Sequence, residues 1–72
     1  MKYIVGTKLL RKDGAKGEVV SADELFKLNP KLILSEDICV KWFFAEGTWG
    51  TTYDAEYLDE IATIIKDNSN VQ

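Results

Sequence analysis

Seventy-two residues make one domain, close to the lower size limit for a core that holds without disulfides or metal. Apolar content of 46% and charged content of 29% are those of an ordinary globular chain. A single cysteine excludes an internal disulfide framework and gives no sign of secretion.

Met1 to Leu10 lacks the apolar stretch of a signal peptide, and Lys8 interrupts what there is. No segment approaches the roughly 20 apolar residues of a membrane span. The expectation is a cytoplasmic protein with no membrane association. The net charge of −3 is unevenly spread. Residues 1–17 carry five basic residues against Asp13, a net +4, and the remaining 55 residues carry four lysines against eleven acids, a net −7. Two solvated faces are the ordinary explanation. The alternatives are a basic loop that touches phosphate or an acidic face that meets a basic partner.

Lys2 to Leu10 is rich in β-forming residues, and Asp13-Gly14 is a turn pair. Glu18-Val19-Val20 resumes the extended character, so a hairpin with a basic tip is expected here. Ser21 and Glu24 stand three apart, as in a capping box, and predict a short helix through Leu28 that Asn29-Pro30 stops. A helix that short holds only by packing on the rest. Lys31 to Leu34 is an apolar return, followed by the polar break Ser35-Glu36-Asp37.

A second, aromatic hairpin follows. At period two, Ile38, Val40, Trp42 and Phe44 share one face and Cys39, Lys41 and Phe43 the other. The first face is expected to be core. Ala45 to Thr48 is the expected turn, and Trp49, Thr51 and Tyr53 alternate beyond it. Gly50 within a strand predicts a bulge or a close backbone approach. From Asp54 onward two solutions fit. Leu58, Ile61, Ala62 and Ile65 have helical spacing behind a good N-cap, whereas Thr63-Ile64-Ile65 favours a single turn at Ala55–Leu58 and then a strand. Residues 1–66 are therefore expected to form the domain and 67–72 a polar tail.

The succession Val5-Gly6-Thr7-Lys8, Gly17-Glu18-Val19-Val20, Ile38-Cys39-Val40-Lys41-Trp42, then Tyr53 and Leu58 to Ile61, resembles small SH3-like barrels of the Tudor and KOW type. That resemblance implies a mainly β fold, a barrel of about five strands, here with a short helix inserted between strands 2 and 3. The alternative is an α+β sheet of ββαββα order with a C-terminal helix.

The chain has no histidine, so it lacks the usual acid/base group at neutral pH and the commonest metal ligand. It also has no Gly-rich phosphate loop and no CxxC. Cys39, mid-strand, is expected to be a small packed hydrophobe. Adjacent acids such as Glu36-Asp37 and Asp59-Glu60 diverge on either type of element and are expected to be solvated. No catalytic residues, metal or cofactor are expected, and the chain is not expected to be an enzyme.

What remains is the aromatic excess: Trp42, Phe43, Phe44, Trp49, Tyr53 and Tyr57 lie within sixteen residues. Most belong to packing. Phe43 is forced away from Trp42's face, however, and Trp49 sits at the mouth of the turn. A partner-binding patch is expected at Phe43, Trp49, Tyr53 and Tyr57, rimmed by Glu46 and Asp54. An acidic rim favours a protein or peptide with basic character, or a cation held on the rings, and self-association belongs to the same class. A small acidic modulator of a host protein, of the kind phages and plasmids encode, fits the same features. The alternative, implied by the KOW-type resemblance, is nucleic-acid binding through Lys8, Arg11, Lys12 and Lys16 at the first hairpin.

Overall fold

The computed structural model describes residues 2–31 and 38–66. Five antiparallel strands form one sheet: β1 (Lys8–Arg11), β2 (Lys16–Val19), β3 (Ile38–Phe44), β4 (Gly47–Tyr53) and β5 (Ala62–Lys66), in the order β4-β3-β2-β1-β5. Two helices join them, α1 (Ala22–Leu28) between β2 and β3 and α2 (Ala55–Ile61) between β4 and β5. The fold is mainly β. The sheet is open, with β4 and β5 as its outer strands.

The first strand is shorter than Lys2–Leu10. Gly6 turns with φ at 99° and donates its amide to the carbonyl of Val19 at 2.8 Å, so the chain bends before Thr7 and the strand begins at Lys8. Tyr3, upstream of that turn, is buried in the core. The Asp13-Gly14 turn is as expected, with Gly14 at φ 96°.

Helix α1 begins at Ser21, whose hydroxyl accepts the amide of Glu24 at 3.2 Å. Only half of the capping box forms. The Glu24 carboxylate pairs with the Lys41 ammonium at 2.5 Å instead of returning to the Ser21 amide. An ion pair to the sheet thus ties the helix down where a local bond was available. The helix ends at Asn29, ahead of Pro30, with the Asn29 amide donating to Leu25. The segments Leu32–Leu34 and Ser35–Asp37, and the tail at 67–72, lie outside the described residues.

β3 and β4 are joined by a two-residue turn, Ala45-Glu46, rather than the expected four, because Phe44 already pairs with Gly47. The register is unbroken from Ile38↔Tyr53 to Phe44↔Gly47, so Gly50 is not a bulge. It is a close approach: a Cβ there would meet the Leu25 side chain of α1. After Asp54 the chain takes the helix-then-strand course. Helix α2 runs a turn further than Ala55–Leu58, and Ala62–Lys66 then pairs along β1, with Leu9 opposite Ile64. The ββαββα alternative with a C-terminal helix is thereby replaced, since Thr63-Ile64-Ile65 is strand. β-branched residues sit well on a pleated surface, and the free side of β1 supplies a partner.

The two faces of the sheet are both used. The main core holds Tyr3, Leu9, Val19, Val40, Trp42, Leu58 and Ala62, with Ile38, Tyr53, Ile61 and Ile64 packed against it. On the other face Val20, Leu25 and Cys39 form a small second cluster under α1. Cys39 is a buried hydrophobe there. Of the expected core face, Val40 and Trp42 are fully buried and Ile38 is half-buried, but Phe44 is 38% exposed. It lies next to the turn, beyond the reach of the core, with the Arg11 guanidinium above its ring.

Candidate interaction site

Trp42 is the hub from which the site is built. Its indole has no exposed surface, and Gly17 of β2 supplies the gap that lets the ring lie on the sheet. A buried indole N–H needs an acceptor, and Tyr53 provides one: Trp42 Nε1 donates to the Tyr53 hydroxyl at 3.0 Å. The two rings meet edge-on at 6.2 Å and 76°. Tyr53 is therefore fixed at its polar tip by the core.

Tyr57 is fixed by a different device. Asp54, the residue after β4, caps α2 by accepting the Tyr57 amide at 2.7 Å. The cap folds the first turn of α2 back so that the Tyr57 ring stacks on Tyr53, with centroids 5.7 Å apart and planes at 23°. Tyr57 remains 52% exposed. The stack thus has one half anchored in the core and the other half facing solvent.

Opposite the tyrosines stands the β1–β2 turn. The Asp13 carboxylate accepts from Arg11 Nε at 2.9 Å, from Arg11 Nη2 at 2.7 Å and from the Ala15 amide at 3.1 Å. These bonds hold the Asp13 carboxyl down to about 2, chiefly through Arg11 and next through the Ala15 amide. The Arg11 guanidinium in turn lies 4.8 Å from the centroid of Trp42, a cation–π arrangement on the ring that carries Tyr53. The Lys12 amide donates to the Ile61 carbonyl at 2.9 Å, which ties this turn to the end of α2. Between these elements lies an open pocket of about 340 Å³, lined by Arg11, Lys12, Asp13, Tyr53, Tyr57 and Ile61. That volume suits one or two side chains of a partner.

The expected site residues fall into three groups. Tyr53 and Tyr57 are in the pocket, and Arg11 and Lys12, expected as part of a separate basic surface, line it with them. Trp49 pairs across the hairpin with Trp42, and so lies on the same sheet face as Tyr53, 53% exposed. Phe43 pairs with Thr48 and points to the opposite face, with Lys41 at 5.5 Å from its ring, so Phe43 and Trp49 do not share a surface. Glu46 sits in the β3–β4 turn, and Asp54 is engaged as the α2 cap; neither lines the pocket.

The basic residues are divided as well. Gly17 faces Trp42, so its neighbours Lys16 and Glu18 face away; Lys8 pairs with Glu18 at 2.8 Å, on the side opposite Arg11. Two pocket residues were not foreseen. Asp13 was legible, since an acid two residues after an arginine and at the start of a turn is placed to accept from that arginine and from the amide two residues on. Ile61 was not, because only the pairing of β5 with β1 brings the end of α2 to that turn.

No family model matches the chain, and neither a curated protein nor a solved structure matches it. Among the described residues, no group of three or more cysteine or acidic side chains is placed to hold a metal ion, and no helix is long and apolar enough to cross a membrane.

Proposed function

We propose that this chain is a non-enzymatic interaction module that binds a peptide segment of a protein partner at the Tyr53–Tyr57 pocket. The observation that carries the proposal is the stack itself: a tyrosine half exposed to solvent, held by a helix cap on a second tyrosine whose hydroxyl is bonded to a buried tryptophan. Aromatic rings that are rigid before binding lose little entropy on contact, which makes them effective anchors. Trp49, exposed on the same face, extends the surface along β4.

An SH3-like course of the chain is part of the same proposal. The antiparallel order β4-β3-β2-β1-β5, with a short helix between the last two strands, supports it. Nucleic-acid binding through the first hairpin is the weaker alternative. Lys8 and Arg11 are paired with Glu18 and Asp13, and Lys16 lies on the face away from Arg11, so no continuous basic track runs along the hairpin.

Selection of displayed random peptides on the immobilised protein tests the proposal. Retention of a peptide family that depends on Tyr57, lost in Tyr57→Ala and kept in Phe43→Ala, is the expected result. Retention that survives Tyr57→Ala and disappears with Phe43→Ala would move the site to the other face and overturn it.

A further inference from the structure

We infer that the pocket takes an acidic peptide segment, with a bulky apolar side chain laid on Tyr57 and Ile61 and a neighbouring carboxylate bound by the ammonium of Lys12. The inference rests on the proposed peptide-binding function and names the chemistry of the segment. Its charge sense is opposite to the one that the acidic rim in the sequence suggests.

The pairing of the cations decides the matter. Lys2 pairs with Asp59, Lys8 with Glu18, Arg11 with Asp13 and Lys41 with Glu24. Lys12 has no ion pair among the described residues, is exposed, and lines the pocket. Its backbone is fixed by the bond to Ile61, so its position does not depend on a partner. Within the pocket the charges of Arg11 and Asp13 satisfy each other through two hydrogen bonds, which leaves Lys12 to set the sign.

Two competing ligand classes fail on these charges. A cation would suit the faces of two tyrosines, but with Arg11 and Asp13 cancelling each other, Lys12 is the charge it would meet, and the two repel. A nucleic acid would stack a base on Tyr57, yet its affinity comes from several phosphate–cation contacts. Beyond Lys12 the pocket offers only an arginine already neutralised, and α2, which forms one wall, carries exposed Glu56 and Glu60. One carboxylate asks for one cation, and one is what the pocket holds.

The apolar part follows from the lining. Tyr57 presents half its surface to solvent, and Ile61 continues the apolar wall one helical turn further along α2. An anion alone would leave that wall wet. A segment with an apolar side chain beside the acid covers it and excludes water from the Lys12 contact, which strengthens the contact.

Two bead-bound decapeptide libraries test the inference. They have the same apolar composition, with Glu as the only charged residue in one and Lys in the other. Labelled oligo-dT is the third probe. The expected result is retention of the Glu library at least about tenfold over the Lys library, the size of one charge-assisted contact. Lys12→Glu is expected to reverse that preference, and Lys16→Glu, on the other face, to leave it intact. A Lys12→Glu melting curve matching the parent confirms that an exposed side chain was changed without unfolding.

Equal retention of both libraries, or preference for Lys, still lost on Tyr57→Ala, overturns the acidic-segment inference and leaves the peptide-binding site standing. Retention of neither library, with or without capture of oligo-dT, overturns both.

Discussion

Replacing Gly17 with alanine drives a methyl group into the indole of Trp42. An ideally placed Cβ would lie 2.5 Å from Trp42 Cε3, 2.7 Å from Cζ3 and 3.2 Å from the Lys41 carbonyl oxygen. Carbon atoms in good contact stand about 3.5–4.0 Å apart, so the ring must retreat by about 1 Å. It has nowhere to go: Trp42 has no exposed surface, its Nε1 is bonded to Tyr53, and the Arg11 guanidinium lies over the ring.

Overpacking of this kind costs about 1–3 kcal/mol, and alanine's stiffer unfolded chain offsets about 0.4–1 kcal/mol of it. The net expectation is a loss of about 1–2 kcal/mol, or roughly 5–15 °C in Tm for a domain of this size. Urea unfolding followed by near-ultraviolet circular dichroism measures it, and because Gly17 has no positive φ the loss reports the clash with Trp42 and not backbone strain. Stability within about 0.3 kcal/mol of the parent for Gly17→Ala would refute the claim that Trp42 is locked against β2. Because Trp42 holds Tyr53, the same substitution is expected to weaken peptide binding.

Three further outcomes are expected. Tyr53→Phe strands a buried indole N–H and should cost about 1–3 kcal/mol in urea unfolding, while Tyr57→Phe should cost almost nothing. The Tyr3 hydroxyl donates to Asp59 and is pushed up to about 12, first by burial and then by that bond. The folded state thus prefers the neutral phenol, so its contribution is complete below about pH 10, the unfolded value, and is lost as pH rises towards about 12; stability measured across that window should fall less for Tyr3→Phe than for the parent. Gly50→Ala sets a methyl group against Leu25 and should loosen α1, seen as faster amide exchange in Ala22–Leu28 than in β1.

The parts of the fold that were legible in the sequence are those set by local chemistry. The Ser21 cap, the stop at Asn29-Pro30, the Asp13-Gly14 turn and the alternation through Trp42 each involve neighbours within a few residues. What escaped needed distant partners. Between the helix and the strand that both fitted Thr63 to Ile65, the β-branched residues favoured the strand, and the free side of β1 decides for it. The turn at Gly6, held by a bond to Val19 of another strand, delays the start of the first strand to Lys8.

At the site, Tyr53 and Tyr57 were legible as aromatics in excess of one core face, yet their grouping was not. The register places Trp49 opposite Trp42 and Phe43 opposite Thr48, so the two rings expected to form one patch stand on opposite faces of the sheet. Arg11 and Lys12 were expected in a separate basic tip. The β1–β5 pairing and the Lys12–Ile61 bond bring that tip against the tyrosines and merge two expected surfaces into one pocket.

The most direct test of the central claim is an amide chemical-shift map of isotope-labelled protein titrated with a peptide retained from the Glu library. Shifts concentrated at Arg11, Lys12, Asp13, Tyr53, Tyr57 and Ile61 are the predicted result. Shifts centred on Phe43, Thr48 and α1, with the β1–β2 turn and the start of α2 unmoved, would contradict it.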